Sequence, residues 1–471
     1  MKKIITLSKS LKRWDLFVAV IILLLSYFYF FRNLGGTSLN AWDEAWYAGI
    51  AKEMINSKNP MLLYFNKVPF WDHPPVGMAL IAVSYKIFGI SELTTRLAPA
   101  LSATGSLFLV YLIAKRFNRY VGLGAVLILA SFSWFWLRAR QADLDLILIF
   151  FLLASYYLSL LCKKDKRFLI LFSIVTALML QVKTIIGLFL LPVLMLNLIE
   201  SKALKDKKIL FMSIFMFIFL TVFWYGYNFY HYGFAFIRQN IFNIGLRMSE
   251  KSIPFLKSFN LSKTSEYLQY SLLKWYKPVV ISFFISYFFF TNKILRNLHY
   301  WIYPFLIAFL FGPEPGIWHL MPIYPPLAII ASCVLYKIIA FFVKIIKIDN
   351  LFRPLFLLTF ISFLFVLNTY HLYDDIVLRK GESNEAFLSK MASRLNGTLF
   401  IQDDYWPVAV FYSGRKTIRI VEPDKKYYSI KAVFENSERP FQILAKRNDF
   451  NDMDKYKVIV QKEDRVLVGV E

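Results

Sequence analysis

Apolar blocks too long for a soluble core recur along the first three-quarters of this chain, separated by short basic loops. Asp15 to Phe31 is almost wholly apolar, inside a candidate span at 14–32. Ten further candidates follow at 96–114, 120–138, 143–162, 167–182, 184–199, 209–230, 277–292, 298–312, 319–343 and 352–371. A bilayer span needs about 20 apolar residues, fewer where flanking side chains snorkel. The first block reads as an uncleaved span, because Arg32-Asn33-Leu34 follows it instead of a small-residue cleavage motif. Of 471 residues 58% are hydrophobic and 48 are Phe, above the roughly 45–50% of an ordinary globular chain.

The net charge of +24 could suggest a nucleic-acid partner, but its distribution does not. From Leu372 onward 17 basic residues meet 16 acidic ones, so nearly all the excess lies in the membrane part. There it sits in short loops, as the positive-inside rule requires of cytoplasmic loops. With a cytoplasmic N-terminus, and with helix 74–90 lying at the outer surface, the clusters at 115–119, 163–167, 202–208, 293–296 and 344–347 all fall inside. Counting 74–90 as a span would move every one of them outside. The expectation is therefore eleven spans plus a surface helix, with 33–95, 139–142, Lys183, 231–276 and 313–318 external.

Residues 167–199 form one apolar run broken only at Gln181-Val182-Lys183-Thr184. A single helix would be roughly 50 Å long, against a hydrocarbon core near 30 Å, so a hairpin with Lys183 at its outer tip fits better. Residues 372–471 have the composition of a small extracytoplasmic α/β domain. A helix is expected at 385–395, strands at 398–402 and 417–421, a helix or strand at 408–412, and a closing hairpin at 457–461 and 465–470. Asp403-Asp404 reads as a solvated loop. The two cysteines, Cys162 and Cys333, lie in apolar segments and exclude a disulfide framework or a zinc cluster.

Carboxylates are costly beside hydrocarbon, so their retention there asks for a reason. Asp43-Glu44 opens an amphipathic helix beyond the first span, and Asp143 and Asp145 open a later one. The topology puts both pairs on one membrane face. An N-cap role would also account for Asp43. His73, in Trp71-Asp72-His73-Pro74-Pro75, can donate to a phosphate at the lipid surface, whereas the two prolines need only a helix start. Arg138, Arg140, Asp143 and Asp145 stand at the outer ends of adjacent spans, where interfacial capping is the plain alternative. Lys183, Arg238 and Arg247 are external cations in need of an anionic ligand.

The order Trp42-Asp-Glu-Ala-Trp-Tyr47, Trp71-Asp-His-Pro-Pro75, Arg96-Leu-Ala-Pro-Ala-Leu-Ser-Ala103 and Gln141-Ala-Asp-Leu-Asp145 resembles the GT-C membrane glycosyltransferases. The branch most like it holds the lipid A aminoarabinose transferases and bacterial relatives of protein O-mannosyltransferases. Val182-Lys183-Thr184 to Pro192, Trp224-Tyr225 to Arg247 and His319-Leu-Met-Pro-Ile-Tyr-Pro325 are similar to later family segments. The likeness runs over about 20–340. The aminoarabinose transferases carry a lysine where this chain has His73, which argues against aminoarabinose as the sugar.

The resemblance implies a polytopic α-helical GT-C domain at 1–371, with its catalytic loop at 33–95, and a soluble domain at 372–471. It implies transfer of a sugar from a polyprenyl-phosphate donor to a lipid, glycan or protein acceptor at the outer face of the cytoplasmic membrane. Asp43 is the candidate base, with Glu44 beside it. Lys183, Arg247, His73 and His319 are candidates for the donor phosphate. Asp143, Asp145 and Arg140 would position the acceptor or sugar. A single base implies inversion. A divalent cation, magnesium or manganese, has Asp43, Asp143 and Asp145 as its candidate ligands, although no dedicated cage is visible. The alternatives are a flippase for lipid-linked sugars, which would carry charges at mid-membrane, and a non-catalytic subunit of an envelope assembly.

Overall fold

The computed structural model describes residues 13–243, 259–289, 291–312, 316–350, 352–422, 426–450 and 456–470. It is a polytopic helical membrane protein with a small α/β domain at its C-terminal end. Seven helices are individually long and apolar enough to span: Arg13–Phe31, Glu92–Ala114, Leu144–Leu161, Lys207–Tyr232, Leu261–Phe289, Ile317–Ile345 and Phe352–Leu378.

Four expected spans depart from that form. The segment 120–138 is not one rod: Arg119–Ser131 and Ser133–Ala139 bend by 73°. Phe132 takes an extended conformation at the break. The Ser133 hydroxyl holds the bend by donating to the carbonyls of Tyr270 and Ser271, at 3.0 and 2.9 Å. The run 167–199 forms Phe168–Leu180, Thr184–Leu188 and Leu191–Ser201, with the expected turn at 181–183. Thirteen residues rise only about 20 Å, so these apolar helices are shorter than a bilayer core. Lys293–Leu310 stands near the expected 298–312 and starts among basic residues.

The expected surface helix is Val76–Phe88, also 13 residues and too short to cross unaided. Gly89 at φ +80° closes it, a conformation most side chains resist. Before it come the helix Asp43–Asn56 and a small hairpin of β1 (Tyr64–Phe65) and β2 (Val68–Pro69). The Val76 N–H donates to the Gln181 carbonyl at 3.1 Å, which ties this segment to the Lys183 turn.

In the C-terminal domain β3 (Thr398–Ile401), β4 (Thr417–Arg419), β5 (Phe441–Lys446), β6 (Lys457–Lys462) and β7 (Arg465–Val470) form one sheet in the order β4-β3-β5-β7-β6. β3 runs parallel to β4 and β5, and the pairs at β7 are antiparallel. The expected elements appear, with 408–412 inside the helix Trp406–Ser413. The central strand β5 and the helix Ile430–Asn436 were not read from sequence. β5 is buried on both faces, so it lacks the alternation that marks a half-exposed strand.

This domain packs on the Asp43 helix. The Trp406 ring lies 5.5 Å from Trp46 and 5.1 Å from Phe65. Lys52 Nζ donates to the Phe411 carbonyl at 2.7 Å. Asn66 exchanges hydrogen bonds with the backbone of Thr417 at 2.6 and 3.1 Å. The Tyr412 hydroxyl accepts from the Leu39 N–H and donates to Glu92, both at 2.9 Å.

Both native cysteines are buried, so introduced ones can be labelled selectively. A cysteine replacing Asn118 is expected to ignore an impermeant reagent added outside intact cells, whereas one replacing Lys431 reacts. Labelling of the first would reverse the topology.

Candidate functional site

Asp43 is the first residue of its helix, and Trp42 stands at the N-cap position without a side-chain cap bond. The simple capping explanation of Asp43 therefore does not apply. Trp42 sits at φ +63°, ψ −121°, a backbone conformation that costs a bulky residue of order 1–3 kcal/mol. The Asp43 side chain is exposed. Even so, the protein around it desolvates the carboxyl and raises its pKa above the ordinary value. Lys183 and Arg138 act against that rise and Asp145 adds to it, so all three lie within electrostatic reach.

The basic side chains near Asp43 come from three separate elements. The bend at Phe132 carries Arg138 to Asp143, with which it forms an ion pair. The hairpin turn brings Lys183 to Asp145 at 2.6 Å, both nearly buried. His319, in the short 3-10 stretch Ile317–Ile323, lies near both members of that pair. Its Nδ1 accepts from the Gly316 N–H at 3.0 Å, which places the proton of the neutral ring on Nε2. Tyr47, one turn along from Asp43, is buried and feels Asp43, Asp143, Asp145 and Asp72. Burial first, and these carboxylates next, push its pKa well up. The sequence had not singled Tyr47 out, although its spacing of four from Asp43 puts both on one helix face.

Two expected site residues have other work. Glu44 is 2% exposed. One carboxylate oxygen accepts from Arg96 Nε at 2.7 Å and the Ala142 N–H at 3.0 Å. The other accepts from the Asn40 N–H at 2.7 Å and Arg96 Nη2 at 3.0 Å. A carboxylate so fully engaged is not available as a base, which corrects the expectation placed on Glu44. Arg140 is corrected likewise. Its guanidinium donates to the carbonyls of Tyr29, Phe30, Arg32, Asn33, Ile376 and Val377, so it grips the ends of the first and last spans. Arg96 was legible as a charge inside an apolar helix, but its partner was not.

His73 stands half-buried beside the rings of Tyr47 and Phe70, at 5.9 and 6.4 Å. Arg238 is exposed on the helical turn Arg238–Asn243. Arg247 lies outside the described residues. Among the described residues no three His, Cys, Asp or Glu side chains are grouped to hold a metal ion. Asp143 and Asp145 are each paired with a cation instead.

The sequence profile of the dolichyl-phosphate-mannose-protein mannosyltransferase family matches residues 72–225. An uncharacterized protein of Aquifex aeolicus is 28% identical over 332 residues, 67% of this chain and 63% of the relative. The undecaprenyl phosphate-alpha-4-amino-4-deoxy-L-arabinose arabinosyl transferase of Shewanella sediminis is 34% identical over 100 residues, 21% of this chain and 18% of its own length. The alignments thus span less than two thirds of these relatives. In fold, the chain matches ArnT from Cupriavidus metallidurans bound to undecaprenyl phosphate, with TM-score 0.73, 15% identity and 98% of each chain covered. The Archaeoglobus fulgidus oligosaccharyltransferase follows at TM-score 0.60 and 13% identity, over 93% of this chain and 70% of the other.

Removing one partner of a buried ion pair typically costs about 3–5 kcal/mol. Glu44→Gln and Arg96→Met are each expected to lower the apparent unfolding temperature in detergent sharply. The double variant should cost much less than the sum of the two.

Proposed function

We propose that this chain, which is of the GT-C glycosyltransferase type with aminoarabinosyl- and mannosyltransferases among its relatives, transfers a sugar from a polyprenyl-phosphate donor to an acceptor hydroxyl at the outer membrane face. The observation that carries the proposal is Asp43: an accessible carboxylate with a raised pKa, facing the two ion pairs Arg138–Asp143 and Lys183–Asp145.

Asp43 accepts the proton of the acceptor hydroxyl as that oxygen bonds to the anomeric carbon. The bond from that carbon to the phosphate oxygen breaks, and the lipid phosphate leaves with the electron pair. One base and one in-line displacement invert the anomeric centre. Among the described residues Lys183 spends one of its three N–H donors on Asp145, which leaves two for the departing phosphate. His319 supplies Nε2–H beside it, and His73 and Arg247 remain further candidates for the same anion. Asp143, oriented by Arg138, and Asp145 border the sugar. Asp143 and Asp145 each pair through one carboxylate oxygen, with Arg138 and Lys183 respectively, so a divalent ion on either would share the carboxylate with that cation. His73, in place of the lysine of aminoarabinose transferases, favours a different sugar.

Asp43→Asn is expected to cut turnover by about 10²–10⁴-fold while binding of undecaprenyl phosphate stays that of the parent. Lys183→Met should weaken that binding, since each charge-assisted hydrogen bond contributes about 1.5–3 kcal/mol. Equal turnover of Asp43→Asn and parent would remove Asp43 from the role. The base works only when deprotonated. The rate should therefore fall as the pH drops, through a limb lying above the ordinary Asp value of about 3.9. A pH–rate profile of the parent that titrates at or below that value would contradict the raised pKa.

A further inference from the structure

We propose that the cleft beside the first span, with Arg32 and Tyr373 at its mouth, is a binding site for one glycerophospholipid of the outer leaflet, phosphatidylethanolamine by its charge. None of the residues that form it has a role in the sugar transfer described above.

Ile21, Leu24, Leu25 and Phe28 of the first span line a cavity of about 510 Å³, and Tyr29, Arg32 and Tyr373 form its polar end. That volume lies within the roughly 300–1,000 Å³ of small-molecule sites. From Ile21 to Arg32 the helix rises about 16 Å, close to half of a hydrocarbon core near 30 Å. The cleft is therefore one leaflet deep. A single acyl chain fits that length, whereas an undecaprenyl chain far outruns it.

The mouth suits a charged group. The first and last spans both end in a π-helical turn, Tyr27–Phe31 and Asp374–Leu378, a turn type that gathers at functional sites. The Arg32 N–H closes the first of them by donating to the Tyr27 carbonyl at 2.8 Å. The Arg32 side chain is exposed and donates to the Tyr373 hydroxyl at 3.2 Å. That hydroxyl donates to the Phe28 carbonyl, also at 3.2 Å, and so holds the two spans together above the cleft. Of the five guanidinium N–H donors, four stay unspent among the described residues, and no carboxylate there pairs with Arg32. An arginine that only snorkels to water needs no cleft beneath it. Here the guanidinium stands over an apolar cleft on its own helix, the arrangement that takes a lipid phosphate above its acyl chain. Two exposed carboxylates, Asp374 and Asp375, follow Tyr373 directly. A zwitterionic headgroup, with phosphate on Arg32 and an ammonium for these carboxylates, therefore matches the charges better than an anionic one.

Full-length protein in detergent would be stripped of co-purified lipid and titrated with dioleoylphosphatidylethanolamine, with dioleoylglycerol as the control that lacks the phosphate. Native mass spectrometry would count the bound lipid. The parent should hold one phosphatidylethanolamine, and dioleoylglycerol should bind about tenfold more weakly or worse, the scale of one lost charge-assisted hydrogen bond. Arg32→Gln should show the same loss, and Arg32→Lys, which keeps the charge, a smaller one. Leu24→Trp fills the cleft at a position already 52% exposed, and should exclude the lipid with Arg32 intact. Undecaprenyl phosphate should bind every variant as it binds the parent. The inference is overturned if the parent holds no phosphatidylethanolamine, if dioleoylglycerol binds equally well, or if Arg32→Gln or Leu24→Trp binds phosphatidylethanolamine like the parent. It is also overturned if these variants lose undecaprenyl phosphate to the same degree, since the cleft would then belong to the donor site.

Discussion

The buried pair of Glu44 and Arg96 is the contact on which the arrangement around Asp43 depends. Arg96 projects from a membrane-spanning helix and donates to the carbonyls of Leu34, Thr37 and Ser38 as well as to Glu44. Glu44 in turn holds the Ala142 N–H, next to Asp143. One ion pair thus fixes the loop after the first span, the start of the Asp43 helix and the start of the Asp143 helix. Two buried charges are tolerable here because nearly every donor and acceptor they carry is used. Arg140 extends the frame by binding carbonyls at the C-terminal ends of the first and last spans, where backbone acceptors would otherwise lack partners.

On that frame three carboxylates of similar sequence context acquire different electrostatic roles. Asp143 and Asp145 are neutralised by Arg138 and Lys183, which makes their burial affordable. Asp43 has cations within reach but no ion pair of its own among the described residues, and it stays exposed. A sharp bend delivers one cation and a hairpin turn the other. Straight spans would have left both carboxylates unpaired beside lipid, at a cost of several kcal/mol each.

The C-terminal domain is joined to this apparatus more closely than a tethered module. Its Trp406 helix packs on the Asp43 helix through a mixed aromatic and hydrogen-bonded contact. Its strand β4 meets the β1–β2 hairpin through Asn66. The helix that carries Asp43 therefore packs against both the Val76–Phe88 helix and the C-terminal domain.

Hydropathy and loop charge sufficed to establish that this is a polytopic helical membrane protein with a soluble C-terminal domain. Those properties follow from transfer free energies that each segment has by itself. The order of its motifs was enough to point to the GT-C type, and the break at Gln181–Thr184 to a turn at Lys183. Other features came only with the folded chain: the bend at Phe132, the double-faced burial of β5, and above all the division of labour among the acidic residues. Glu44 and Asp43 are neighbours in the same motif and look alike in sequence. Which of them is consumed by a structural ion pair depends on Arg96, 52 residues away, and pairing across such a distance leaves no local signal. Arg140 could be read as a site residue for the same reason, since its six carbonyl partners belong to chain segments more than a hundred residues distant. Composition determines which groups must be satisfied; only the packing of distant segments decides which are satisfied by the protein and which remain for a ligand.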